Sequence, residues 1–374
     1  TAPSGIIEQL SFAVCSCANL QRGYFHAYRS VAERSDIDAV IHLGDYFYEY
    51  SSKGFIPERT HQPPYELLSL DDYRMRYSQY RRDVDLQEAH RQHPFIVVWD
   101  DHEIANNSHK EGAENHQEGV EGIWAERKAA AQQAYSEWLP IRTMDASRIF
   151  RRLKYGDLVD LLMLDTRLFG RDPQSEDPSV MNAEERTMLG EEQEAWLSEQ
   201  LLDSTATWRI VGQQVVLSPV TAAGVVVNHD QWDGYPLARQ RLLNMIAEND
   251  LDGVVVLTGD IHSSWAGEVP LSVDSYDPET GEGAVAVELV TPGVTSGFPL
   301  DKGLADLAVS LNPHIKYGEV LSKGYMVLNV NEVRAQNTWY HFDDVQSVDA
   351  VEKVGARFSS PAGSNRLFQD ELDS

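Results

Sequence analysis

Short apolar runs rich in β-branched residues recur along this chain, and several of them stop abruptly at ionisable or amide side chains. They are FAVCSC (12–17), DAVIHL (38–43), FIVVW (95–99), LVDLLML (158–164), RIVGQQVVL (209–217) and DGVVVL (252–257), followed later by AVAVELV (284–290), GYMVLNV (324–330) and TWYHF (338–342). Continuous apolar runs of this length predict strands buried on both faces, as in a sheet covered by helices. Helical periodicity lies between them at roughly 25–34, 72–91, 123–138, 190–202 and 236–249. The alternation up to about residue 260 predicts an α/β architecture, and the three late runs read as an antiparallel addition. The chain has no fixed-period repeat, low-complexity tract or dividing linker, so one domain over 1–374 is expected. The polar stretches 102–120 and 171–188 read as long functional loops.

At 374 residues the chain is long enough for a large core, and no apolar run approaches the ~20 residues of a membrane helix. A net charge of -28 argues against nucleic acid and anionic membrane surfaces as partners. It leaves an anionic small substrate open, because a bound cation inverts the local field. The two cysteines, Cys15 and Cys17, are too close in sequence to pair, so no disulfide is expected. No signal-peptide pattern stands at Thr1.

The ends of six runs carry the chemistry: Cys17 and Asn19; Asp45, Tyr48 and Glu49; Asp100, Asp101, His102 and Glu103 with Asn106 and Asn107; Asp165 and Arg167; Gln213 and Gln214; Asp260 and His262. Ligands gather at the carboxyl ends of strands in open α/β sheets. Each residue alone has a plainer reading. Asp45 and Asp260 suit turns, Cys17 and Tyr48 suit a core, and His102 suits a surface. Arg167 could pair with Asp165, and the glutamines could satisfy backbone. His26, His42, His229, His314 and His341 carry no spacing signal. Together the carboxylates cannot sit side by side without cations. Carboxylate oxygens suit calcium, magnesium or manganese, while imidazole and thiolate suit iron, zinc or copper, so two unlike metals are expected.

The order of these motifs resembles the dinuclear metallophosphoesterases. GDYFY (44–48) is similar to their G-D-x-x-Y, WDDHE (99–103) to G-N-H-E, GDIH (259–262) to G-H-x-H, and SCAN (16–19) to a departed D-x-H. The departures, with LDTR (164–167), the glutamine pair and QWDGYP (231–236), resemble one branch, the PhoD-like alkaline phosphatases and phosphodiesterases, from Cys17 to at least His262.

That resemblance implies an α/β (α+β) fold of the metallophosphoesterase type, a β-sandwich of mixed sheets flanked by helices. It implies hydrolysis of a small or polymeric phosphate ester by a metal-bridging hydroxide, with Fe(III) and Ca2+ as cofactors. Cys17, Asp45, Tyr48, Asp101, Asp260, His262 and Asn107 would be metal ligands, Asn107 otherwise bonding the phosphate. His102 would be the general acid and Arg167 a phosphate clamp. A secreted, periplasmic or cell-surface location is also implied. Relatives with an added N-terminal sandwich domain carry it ahead of the cysteine motif; here Cys17 comes almost at once, so a short form or a catalytic domain alone is expected. Two other readings stand beside this one: a calcium-binding structural module, against which the thiol and imidazoles argue, and a metallohydrolase acting on amides or lactones. The natural substrate, the division of ligands between metals and the oligomeric state are not legible in the residues.

Overall fold

The computed structural model describes residues 3–143, 145, 147–222, 224–297 and 302–372. Two seven-stranded mixed sheets face each other. The first runs, in spatial order, Phe368–Gln369, Glu352–Pro361, Arg334–Phe342, Lys323–Asn331, Gln9–Cys15, Ala39–His42 and Phe95–Val97. The second runs Ile315–Glu319, Ser264–Pro270, Ala284–Val290, Val254–Thr258, Trp208–Gly212, Val159–Met163 and Arg151–Tyr155.

Between the sheets lies the main core. It joins Phe12, Val40 and Val327 of the first sheet to Leu161, Ile210 and Leu257 of the second. Two indoles stitch the layers: Trp208 Nε1 donates to the Asn331 carbonyl at 2.7 Å, and Trp339 Nε1 donates to the Val290 carbonyl at 2.9 Å. On its outer face the second sheet packs Leu162, Val211 and Val256 against Leu197 and Leu201 of helix Glu191–Asp203 and Leu243 and Ile246 of helix Pro236–Glu248. Strands buried on both sides account for the unbroken apolar runs.

Helix Trp124–Trp138 buries Trp124, Arg127, Ala131, Ala134 and Tyr135, a stripe at helical spacing. Its Tyr135 packs edge-on against Trp99, with ring centroids 5.0 Å apart, and so anchors the residue preceding Asp100.

Three expectations are corrected. The pattern at 72–91 is two helices, Leu70–Tyr80 and Val84–Gln92, because Asp83 ends the first and caps the second, its Oδ1 accepting from Asp85 N and Leu86 N. The run 284–290 is no antiparallel addition to the other late strands. It lies parallel to Val254–Thr258 and antiparallel to Ser264–Pro270, in the second sheet, whereas 324–330 and 338–342 belong to the first. The run 209–217 leaves the sheet after Gly212, and Gln213 and Gln214 turn away from the ladder. Four longer strands escaped the sequence reading, Arg151–Tyr155, Ser264–Pro270, Ile315–Glu319 and Glu352–Pro361, as did the two-residue strands Thr221–Ala222, Val225–Val226 and Phe368–Gln369. Charged residues or glycine interrupt each of the four longer strands, so none forms an apolar run.

In the first sheet Gln9–Cys15, Ala39–His42 and Phe95–Val97 run parallel; in the second Val159–Met163, Trp208–Gly212 and Val254–Thr258 do the same. The carboxyl ends of both triplets meet at one edge of the sandwich.

Candidate metal centre

That edge collects the site residues proposed from sequence. Cys17 follows the first strand of one sheet, and Asp260 and His262 follow Val254–Thr258 of the other. Ligand atoms of Cys17, Asp45 and His262 lie within 4.8 Å of one another, as do those of Asp45, Asp101 and His102, and those of Asp100, Asp101 and Asp260. Asp45 belongs to two of these groups.

The backbone there is unusual. Cys17, Asp45, Asn107, Asp260 and His262 have φ of 59°, 53°, 51°, 64° and 57°, and among the described non-glycine residues only Asp250 joins them in the left-handed region. Such conformations persist only where the surroundings enforce them, and they concentrate at functional sites. Gly44 also has φ of 105°; a Cβ there would lie 2.3 Å from the Asp100 nitrogen, so the G of the G-D motif admits the neighbouring strand end.

Around Tyr48 the first group closes tightly. Its hydroxyl donates to Asp45 Oδ2 at 2.9 Å, lies 2.8 Å from His262 Nε2 and accepts from Ser296 Oγ at 2.7 Å. His262 Nδ1 donates to the Gly297 carbonyl at 3.2 Å, which leaves Nε2 facing the thiol and the carboxylate. Burial and the Asp45 carboxylate push the Cys17 thiol and the Tyr48 phenol well above their ordinary values. Burial likewise raises Asp45 and Asp260 to about 7, with Asp101 adding to both and Arg167 opposing. Asp101 itself is held below the usual range: His102 and Arg167 outweigh its burial.

His102 is buried, and its Nδ1 donates to Glu49 Oε2 at 2.6 Å. Burial disfavours its charged form, but Asp101, Glu49 and Asp45 outweigh that and hold its pKa well above the ordinary value. Its ring lies 4.1 Å from that of Tyr48 and 4.9 Å from that of Tyr50.

Arg167 is enclosed. Nε donates to Asp100 Oδ1 at 2.5 Å, Nη1 to Asp230 Oδ2 at 2.7 Å and Nη2 to Asp260 Oδ1 at 2.7 Å. The pairing with Asp165 considered from sequence does not form; Asp165 Oδ1 instead accepts the backbone N–H of Arg167 and Leu168. Asn107 directs its backbone N–H to Asp101 Oδ2 at 2.6 Å and its side-chain amide to Glu114 at 2.6 Å. The glutamines satisfy structure: Gln214 Oε1 accepts from Thr166, and Gln213 Oε1 accepts from Trp232 Nε1.

Comparison with known proteins bears on what this edge is for. The family model described as PhoD-like phosphatase matches residues 12–339. This chain belongs to the PhoD-like phosphatase family. Alkaline phosphatase D of Bacillus subtilis (strain 168) is 37% identical over 335 residues, covering 84% of this chain and 56% of that protein, so the chain spans little more than half the length of this curated relative. A solved structure titled "Structure of PhoD" superposes with a TM-score of 0.91 at 32% identity, covering 100% of this chain and 73% of that one.

The PhoD-like chain also uses residues that the motifs did not announce. Asp230 bridges Arg167 and Arg171, whose Nη2 donates to Asp230 Oδ1 at 2.5 Å, yet it lies in a loop with no ligand spacing. Asp100 and Ser296 likewise enter the centre. Only Asp100 had a signal, as the first aspartate of the doubled pair in WDDHE. The donor set fits metal ions: Asp100 Oδ2 and Asp101 Oδ1 are buried with no hydrogen-bond partner among the described residues. Buried carboxylate oxygens without donors are costly unless a cation meets them.

Proposed function

We propose that this chain hydrolyses phosphoric esters, as a phosphatase or phosphodiesterase, with metal ions held at the shared edge of its sheets. The observation that carries the reading is that Asp45 belongs at once to a group with thiol and imidazole and to one with carboxylate and imidazole. A thiolate, phenolate and imidazole set suits Fe(III), which Cys17, Asp45, Tyr48 and His262 would hold. Hard carboxylates suit Ca2+, which Asp45, Asp101 and Asp260 would hold together with Asp100. Bound ions of this kind supply Lewis acidity toward a phosphoryl oxygen and make water a nucleophile at ordinary pH.

The chain's own groups position and move protons. His102, fixed by Glu49 through Nδ1, presents Nε2 as the donor to the leaving oxygen. Arg167, expected as a phosphate clamp, is enclosed by Asp100, Asp230 and Asp260, so we assign it the role of keeping Asp100 and Asp260 in place. Asn107 fixes Asp101 through its backbone, and we assign its side-chain oxygen to the metal or the phosphate. The substrate would approach through a cleft of about 200 Å³ lined by Tyr48, His102 and His262 together with Arg22, Lys53 and Phe55. In an acidic protein, two cations at this mouth favour an anion.

The test is hydrolysis of bis-p-nitrophenyl phosphate before and after chelation, with iron and calcium restored separately and together. Turnover lost on chelation and regained with both ions is expected. A folded, metal-replete protein that turns over neither this diester nor p-nitrophenyl phosphate would discard the proposal.

A further inference from the structure

His102 is held from behind by a chain of side chains that the metal centre does not use. Glu49, wholly buried, accepts the His102 Nδ1–H on Oε2. Its other oxygen, Oε1, accepts the Asn106 N–H at 2.8 Å and Asn115 Nδ2 at 2.9 Å. The same Asn115 nitrogen donates to Glu66 Oε1 at 3.0 Å, so its two hydrogens serve two carboxylates. Among the described residues no arginine or lysine pairs with Glu49. The cation stands one step back: Arg127, buried, donates through Nη2 to Glu66 Oε1 at 2.9 Å. Its Nη1 donates to the Asn115 carbonyl at 3.4 Å, and its Nε donates to the Tyr73 hydroxyl at 3.1 Å. Tyr73 in turn donates to the Ile104 carbonyl at 2.7 Å. Arg127 belongs to helix Trp124–Trp138 and Tyr73 to helix Leu70–Tyr80, so two helices fix a loop residue against the partner of His102.

Asn115 gives up one of its own hydrogen bonds to stand there. Carboxylates on both sides require that Nδ2 face them, and Oδ1 is then buried with no partner among the described residues. A buried acceptor without a donor is destabilising. The side chain is therefore set by what Nδ2 holds. An amide also suits the place, because it ties Glu49 to Glu66 without adding charge. A lysine there would compete with His102 for Glu49, and an aspartate would set a third carboxylate against two.

We propose that Asn115 is a positioning residue for departure of the leaving group: it fixes Glu49, and Glu49 aims His102 Nε2 at the leaving oxygen. The proton passes from Nε2 to that oxygen as the P–O bond breaks, and Asn115 touches neither. The inference rests on the phosphoesterase reading above and adds to it a residue that no motif spacing marks.

The experiment compares two diesters in the metal-loaded protein, methyl p-nitrophenyl phosphate and methyl phenyl phosphate. They differ by one nitro group: p-nitrophenolate departs without a proton, whereas phenolate needs one. The readout is the ratio of kcat/KM for the phenyl ester to that for the nitrophenyl ester in one preparation. Loss of fold or of metal removes active molecules and leaves that ratio alone. His102→Ala should lower the ratio by about a hundredfold, and Asn115→Ala by about tenfold. Asn115→Asp keeps the size of the side chain and replaces a donor by an acceptor, so it should lower the ratio too if the alanine variant does not fold. On a Glu49→Gln background, Asn115→Ala should lower the ratio no further, because both act along one path. A wild-type ratio in Asn115→Ala and Asn115→Asp, where His102→Ala discriminates, would overturn the inference and leave the phosphoesterase reading intact. Effects that multiply in the double variant would also overturn it, since Asn115 would then act by another route. A ratio unmoved by His102→Ala would withdraw His102 as the proton donor and this role of Asn115 with it. Absence of turnover in the metal-loaded wild type would remove the phosphoesterase reading and the inference together.

Discussion

Glu103 holds Asp45 by its backbone: Glu103 Oε2 accepts the Asp45 N–H at 3.1 Å, and the same oxygen accepts the Asp100 N–H at 2.9 Å. Its other oxygen accepts the Tyr46 N–H at 2.5 Å. The last residue of WDDHE is therefore a brace that ties the Asp45 turn to the end of the neighbouring strand. Burial raises Glu103 to about 8, and these three donors work against that rise. Glu103→Gln keeps the shape but puts a donor where an N–H already points. The variant should lose about 1–3 kcal/mol of stability and bind metal more weakly. Urea unfolding and elemental analysis check both, and wild-type values in the two assays would refute the brace.

Glu49 acts on His102 in a similar way, but through the side chain. Glu49→Gln should leave the fold intact and reduce turnover by about tenfold to a hundredfold, in the range seen when a group orienting a functional histidine is removed. A change in KM with kcat unaltered would mean that Glu49 serves substrate binding instead.

Arg167 neutralises carboxylates in the interior. Removing it in Arg167→Met leaves Asp100 and Asp260 with their charge uncompensated, while Asp230 keeps Arg171, and breaking such a buried pairing costs about 3–5 kcal/mol. Thermal unfolding should show the loss in metal-free protein, and metal should recover part of it. An unchanged midpoint would assign the stability of this cluster elsewhere.

On the proposed ligand set, Tyr48 is the residue that a spectrum would report. Iron-loaded protein should be coloured by phenolate-to-iron charge transfer, and Tyr48→Phe should lose that visible band while keeping its fold. A coloured variant with an unchanged spectrum would remove Tyr48 from the ligand set.

Buried histidines make the fold sensitive to acid. Burial lowers His42, His61 and His90 to about 3, against an ordinary value of 6.5. Between those values the unfolded chain takes up protons that the folded chain refuses. Stability from these groups is thus complete above about pH 6.5 and is lost as pH falls toward 3. From pH 7 to pH 5 each histidine costs at most about 2 kcal/mol. The midpoint of urea unfolding measured across this range should fall steadily; a flat profile would show that these rings take up protons while folded.

Much of this site was legible because its chemistry sits at strand ends, where an apolar run breaks into charge. Cys17, Asp45, Asp101, Asp260 and His262 are each found this way, and the structure brings them to one edge. Asp230 was not legible, because its ties to Arg167 and Arg171 depend on how a loop folds back across 63 and 59 residues, and no local spacing encodes that. Glu352–Pro361 was missed for a related reason. It opens on Glu352 and Lys353, and its buried residues Ala356 and Phe358 fill a core only once Trp339 of the neighbouring strand is beside them.

The centre draws Cys17 and Asp45 from one sheet and Asp260 and His262 from the other, so the proposed ligands straddle the seam of the sandwich. An ion bound there would be a rivet as well as a reagent. Loading and closure of the two layers would become one equilibrium, in which each step tightens the other. Metal supply would then decide how long the molecule survives unfolding and proteolysis, apart from whether it turns over substrate. A chain starved of metal would be short-lived before it was merely idle.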